Sequence, residues 1–294
     1  MTEDLPHEDA HPPRKGFAFA HLAFLIALFP PVMLIGCMML THLGYISDDL
    51  GFRILTLGVG SKMAMAALAI GALSLLISLF MAPLRCAPWA LAAVAVSGAL
   101  LGGFMWYKKA VKAFPPISDV ATDWDDPLTF SDKMTADRGR DSKPVEDLPR
   151  VPADQSLEWG GKTIADINQL TCPGAHPVMR KGITSDQVAD ILTRDKYTIF
   201  GTAPWKVEAT WQDNFFGFKS DIAVRLNPGR VDVRSISRYD MPDMGLNCRH
   251  VTDIVQQIEA LPVAPDAGDA PASEATVASG IPAAAGSGDQ GGGD

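Results

Sequence analysis

Between Arg230 and His250 the chain reads RVDVRSISRYDMPDMGLNCRH, which gathers Arg234, Arg238, Asp240, Asp243 and Arg249 around Ser235, Ser237 and Asn247. Three chemistries suit these residue types. A structural network would pair Arg238 with Asp243 or Asp221 through two parallel hydrogen bonds, while Asn247 holds the start of a helix. An anion site would set Arg234, Arg238 and Arg249 around that helix N-terminus, where a carboxylate, phosphate or lipid headgroup is attracted. Hydrolysis would need Ser235 or Ser237 beside a base, and no G-x-S-x-G elbow is present to support it. His250 and His176 are the histidines of this region, and His250 reads as a solvated helix-surface residue. The network is the expected role, and no residue is assigned to catalysis.

Other chemistries find less support. TDWDD, Thr122 to Asp126, lacks the glycine and distant glutamate of a calcium loop and reads as a solvated acidic connector. No C-x-x-C or Cys/His spacing calls for zinc, so neither metal nor cofactor is expected. A net charge of −9 without an extended basic stripe argues against nucleic acid. Cys37 falls in an apolar run and Cys86 in a short loop. That leaves Cys172 and Cys248 either as a disulfide in an oxidising compartment or as two packed thiols.

The elements that position these residues follow from periodicity. Thr163 to Leu170 repeats apolar residues at helical spacing, and Thr184 with Gln187 forms a capping box before a helix carrying Val188, Ile191 and Leu192. The period then changes to two in KVEATW, DIAVRL and RVDVRSIS. Asn227-Pro228-Gly229-Arg230 suits a tight turn, so Leu226 should face Val231, Val224 should face Val233 and Arg225 should lie opposite Asp232. On the last strand, Arg234 and Arg238 share a face with Asp232 and Ile236, and Ser235 and Ser237 lie on the other. Asn247 then caps a final helix with a stripe from Val251 to Leu261. In Phe215-Phe216-Gly217-Phe218, alternation assigns Phe216 and Phe218 to the core and leaves Phe215 for contact with a partner.

A mean hydropathy of +0.10 is high for a chain of this polarity. The excess lies in three runs, at about 16–43, 63–81 and 87–106, each near the roughly 20 residues that cross a bilayer. Trp89, Trp106 and Tyr107 stand at run ends, where amphipathic rings favour headgroups. Pro30-Pro31 should kink or break the first run. Gly36-Cys37 resembles a lipoprotein export signal, but apolar residues continue to Leu43, as a spanning helix requires. His21 is the ionisable group well inside a run and lies near its interface end. Small residues such as Ala67, Gly71 and Ser74 permit close helix packing.

The resulting organisation is a tail at 1–15, three transmembrane helices within 16–112, a connector at 113–161, a domain at 162–262 and a disordered acidic tail at 263–294. The fold class is α+β: a three-helix transmembrane bundle followed by a small antiparallel sheet with helices packed on one face. Lysine and arginine counts near the spans lean weakly toward a cytoplasmic domain.

PPISDVATDWDDPLTF, WKVEATWQDNFFGFKSDIAVRL and RVDVRSISRYDMPDMGLNCRHV together resemble the family catalogued as domain of unknown function 1499, whose multi-span members share this arrangement. Its R-S-x-S-R-x-x-x-x-D-x-G-x-N signature is matched by Arg234, Ser235, Ser237, Arg238, Asp243, Gly245 and Asn247. Ser220 and Tyr239 depart from the family, which usually carries an acidic residue and a small residue or valine at those places. The resemblance implies no reaction. It does imply placement, because many relatives carry export signals or lipid anchors: the domain is expected on the periplasmic side of a bacterial inner membrane. The expected function is a non-enzymatic binding or assembly module of the cell envelope, with the bilayer and an envelope or membrane protein as partners. The alternative is a membrane-bound hydrolase or an anion- or headgroup-binding protein.

Overall fold

Three long apolar helices open the chain: α1, Arg14–His42; α2, Ser61–Met81, entered through a π-helical segment at Asp49–Gly60; and α3, Pro83–Ala113. The computed structural model describes residues 14–81 and 83–262; the expected tail at 263–294 lies outside the described residues, as does most of that at 1–15. Each helix is long and apolar enough to cross a membrane, over Ala18–His42, Asp49–Met81 and Leu84–Ala113. Alanines and serines fill the seams between them: Ala64, Ala67 and Ser74 of α2 and Ala90, Ala93 and Ser97 of α3 are buried, whereas large side chains such as Leu25, Leu76 and Leu91 face outward.

The helices outrun the apolar runs. The π-helical entry adds 12 residues ahead of the second run, and Asp49 and Arg53 on it form an ion pair at 2.5 Å. Hydropathy alone misses such an extension because polar residues sit at its start. Of the expected kink or break at Pro30-Pro31, a break does not occur: α1 is one helix through both prolines, and it continues through Cys37, as a spanning helix requires. Cys86 lies within α3 rather than in a loop.

Beyond the bundle the strands are β1, Asp119–Ala121; β2, Thr198–Ala203; β3, Lys206–Gln212; β4, Lys219–Asn227; and β5, Arg230–Ser237. They form one antiparallel sheet in the order β1-β5-β4-β3-β2. The β4–β5 hairpin has the anticipated register, with Leu226 opposite Val231, Val224 opposite Val233 and Arg225 opposite Asp232. Helices α5, Ile164–Thr171; α6, Ser185–Arg194; and α7, Leu246–Glu259, cover one face. Their core includes Ile167, Ile191, Val207, Val224, Val233, Ile254 and Ile258. The capping box of Thr184 and Gln187 starts α6.

The connector differs from the expectation. Instead of leading to the domain, it is part of it: β1 pairs with β5, and α4, Asp132–Arg138, lies over the opposite sheet face. Leu128, Phe130 and Met134 pack there on Ala223 and Ile236. This second face carries Glu208, Asp221, Asp232 and Arg234, all nearly excluded from water. A sheet with one apolar and one polar face normally leaves the polar face wet. Here the connector covers it, and each charge needs a partner.

Candidate functional site

Arg234 is completely buried. Its guanidinium donates to both oxygens of Asp119 on the neighbouring edge strand (Nε to Oδ1 3.1 Å, Nη2 to Oδ2 2.7 Å) and to the carbonyls of Leu128 and Glu146 at 2.8 and 2.7 Å. It also lies over the ring of Trp124, 5.2 Å from the centroid. The connector therefore supplies every partner of this cation. Sequence reading missed Asp119 because its partner is 115 residues away; in the register Asp119 faces Ile236, and Arg234, two residues along β5, reaches it diagonally.

Asp221 anchors the second cluster. Arg238 grips it with two parallel bonds (Nε to Oδ2 and Nη2 to Oδ1, both 2.8 Å), the geometry expected of one of the two candidate pairs. Arg138 from α4 donates to the same carboxylate at 2.5 Å, and Thr210 donates at 2.8 Å. Burial and the neighbouring charge of Arg238 both work to lower the pKa of Arg138, against the pull of Asp221. Arg238 also reaches Asp137 at 2.9 Å.

A third cluster ties β5 to α7. Asp243, not paired with Arg238, accepts the backbone N–H groups of Gly245 and Asn247 at 2.8 and 2.9 Å, and burial raises its pKa. Asn247 is therefore not the cap. Gly245, at φ +76°, occupies that position, and Asn247 lies inside the helix, where its side chain joins the carbonyl of Ser118, the hydroxyl of Ser237 and the carboxylate of Asp243 at 3.0, 2.8 and 2.6 Å. Ser235 is fully buried and donates to Asn247 Oδ1 at 2.6 Å. Ser220, where relatives usually carry an acid, sits opposite Ser237 with their oxygens 3.4 Å apart.

The three arginines of the candidate anion site do not converge. Arg234 and Arg238 are spent on Asp119 and Asp221, and Arg249 reaches outward to the carbonyl of Met244 at 3.2 Å. TDWDD is not simply a solvated linker either. Asp123 takes Arg230 at 2.5 Å and Arg225 at 3.5 Å, closing a separate charge cluster with Asp232. His250 is likewise not solvated. It is 7% exposed, wedged between Tyr197 and Trp211, and burial with Arg249 nearby lowers its pKa to about 4.

The phenylalanine loop reaches the bundle. Asp213 accepts the backbone N–H groups of Phe215, Phe216 and Phe218, so the loop is held tight. Phe216 and Phe218 stack on each other and meet Phe52 of the π-helical segment at 4.9 and 5.2 Å; Phe218 also stacks on Tyr239 at 5.1 Å. These two rings close the junction with the bundle rather than the domain core. Phe215 stays 67% exposed, as its place in the alternation implied. Gly217 is required here: its φ is +78°, and a Cβ would lie 2.9 Å from the Cα of His42 at the end of α1. A cleft of about 900 Å³ runs beside this contact, between the loop after α1 and the edge of the Asp221 cluster.

Cys172 and Cys248 are joined as a disulfide linking the end of α5 to α7. Among the described residues no group of histidine, cysteine and acidic side chains is placed to hold a metal ion. Residues 119–258 match the family model described as a protein of unknown function, DUF1499. No curated protein and no solved structure matches the chain.

Proposed function

We propose, on the premise that the domain at residues 119–258 belongs to the DUF1499 family, that this is a membrane-anchored binding or assembly module of the cell envelope that works by contact rather than turnover. One observation carries the reading. The signature's arginines and Ser235 are satisfied inside the domain, whereas Phe215, one of several exposed apolar side chains, is distinguished by standing on a tight loop whose neighbouring rings pack on Phe52 of the bundle, so it is offered outward next to the spans. A membrane-bound hydrolase would need an accessible hydroxyl within reach of a base. Ser235 instead donates to an amide in a sealed interior, and the half-buried Ser237 meets the Asn247 amide and the Ser220 hydroxyl, neither of them a base.

The disulfide supports placing the domain on the exported side of a bacterial inner membrane, because such bonds persist in oxidising compartments. A photo-crosslinking residue at position 215, used in intact cells, tests the partner-binding reading. A discrete adduct with another membrane or envelope protein is expected, and the same residue at exposed Leu157 should give none. If position 215 yields adducts only with lipid or with nothing, the reading fails.

A further inference from the structure

The cleft beside the junction opens where α1, a helix long and apolar enough to cross a membrane, ends. Its bundle side is acidic, with Asp48 and the Arg53-paired Asp49, while its domain side is mainly basic, with Lys219, Arg138 and Arg238 beside the exposed Asp141. On the bundle side Asp48 is half-buried, and its side chain makes no capping hydrogen bond at the start of the π-helical segment. Burial and the nearby carboxylate of Asp213 raise its pKa, so a hydrogen-bonding cation beside it would relieve both penalties. On the domain side stands Lys219, a half-buried ammonium for which no hydrogen bond or ion pair is found among the described residues. Behind it, Arg138 and Arg238 share the single buried carboxylate of Asp221, and Asp137 offsets only part of that surplus.

Asp48 and Lys219 sense each other electrostatically but do not pair. Each therefore retains an unused valence facing the same space. We propose that this cleft binds the phosphoethanolamine headgroup of a membrane lipid, with the ammonium on Asp48 and the phosphate on Lys219. A trimethylammonium headgroup has no N–H to donate to Asp48. An anionic glycerol headgroup brings no cation and meets repulsion from Asp48 and Asp141 of the lining. The inference goes beyond partner binding and stands apart from it, because Phe215 does not line the cleft.

The full chain, purified in mild detergent and placed in nanodiscs of phosphatidylethanolamine, phosphatidylglycerol or phosphatidylcholine, tests it by native mass spectrometry of retained lipid. Retention of phosphatidylethanolamine about tenfold above the other two is expected, with a similar loss in Lys219→Ala and in Asp48→Asn. Circular dichroism and the intact Cys172–Cys248 bond would show that both variants still fold. Equal retention of the three lipids, or unchanged preference in both variants, overturns the assignment. Binding of soluble phosphoethanolamine without any lipid preference overturns the lipid as its source.

Discussion

Arg234 tests the network most directly, because it is fully buried and its partner Asp119 is 1% exposed in its side chain. Removing one member of such a pair leaves a desolvated charge without compensation. Arg234→Met should therefore destabilise the domain by roughly 3–5 kcal/mol, read as a lower urea midpoint by tryptophan fluorescence. His250 gives a pH signature. Its folded pKa of about 4, lowered by burial and by Arg249, lies below its ordinary value of 6.5, so the unfolded chain binds the extra proton first as pH falls. Stability should thus be full above pH 6.5 and fall between pH 6.5 and 4 by an amount on the order of 3 kcal/mol. Urea titrations at pH 7 and 4.5 should show that loss in the native chain and a smaller one in His250→Gln.

Among the elements, those whose local signals agreed were legible. The β4–β5 hairpin combines a Pro-Gly turn with strict alternation, and both point to one register, which the structure has. α6 was readable from its box of Thr184 and Gln187. By contrast β2 escaped notice, because an edge strand with a shift between Ile199 and Gly201 and mostly half-exposed side chains lacks a two-residue rhythm. β1 and α4 were hidden for a different reason: three and seven residues long, they are held by partners far along the chain. The same distance effect hid Asp119 and Arg138 while Asp221 on β4 and Arg238, the residue after β5, could be matched. The junction between loop and bundle depends on close backbone approach at Gly217 and on Phe52. Gly217→Ala should cost about 1 kcal/mol or more from its φ alone, and Phe52→Ala should free the domain from the bundle. Spin labels at Tyr45 and Asn214 should report a narrow distance distribution in the native chain and a broadened one in both variants.

For the whole molecule, the three spans place the loop after α1 and the domain on the same side, which the contact between Gly217 and His42 requires. A periplasmic-type reporter fused after Gln290 should be active, and a cytoplasmic reporter there should be silent. Cys172 and Cys248 should resist alkylation until reductant is added, while reduction should cost at most about 4.5 kcal/mol given a sequence separation of 76. The edge strand that follows the last span waits for β5, whose Arg234 is 115 residues further on. A chain that emerges in order of synthesis must hold β1 and its acid open to water until nearly all of the domain has been made. Closure is thereby delayed to the last stage of synthesis, and a protein truncated before β5 would present an unsealed sheet to proteases and chaperones rather than a smaller version of itself.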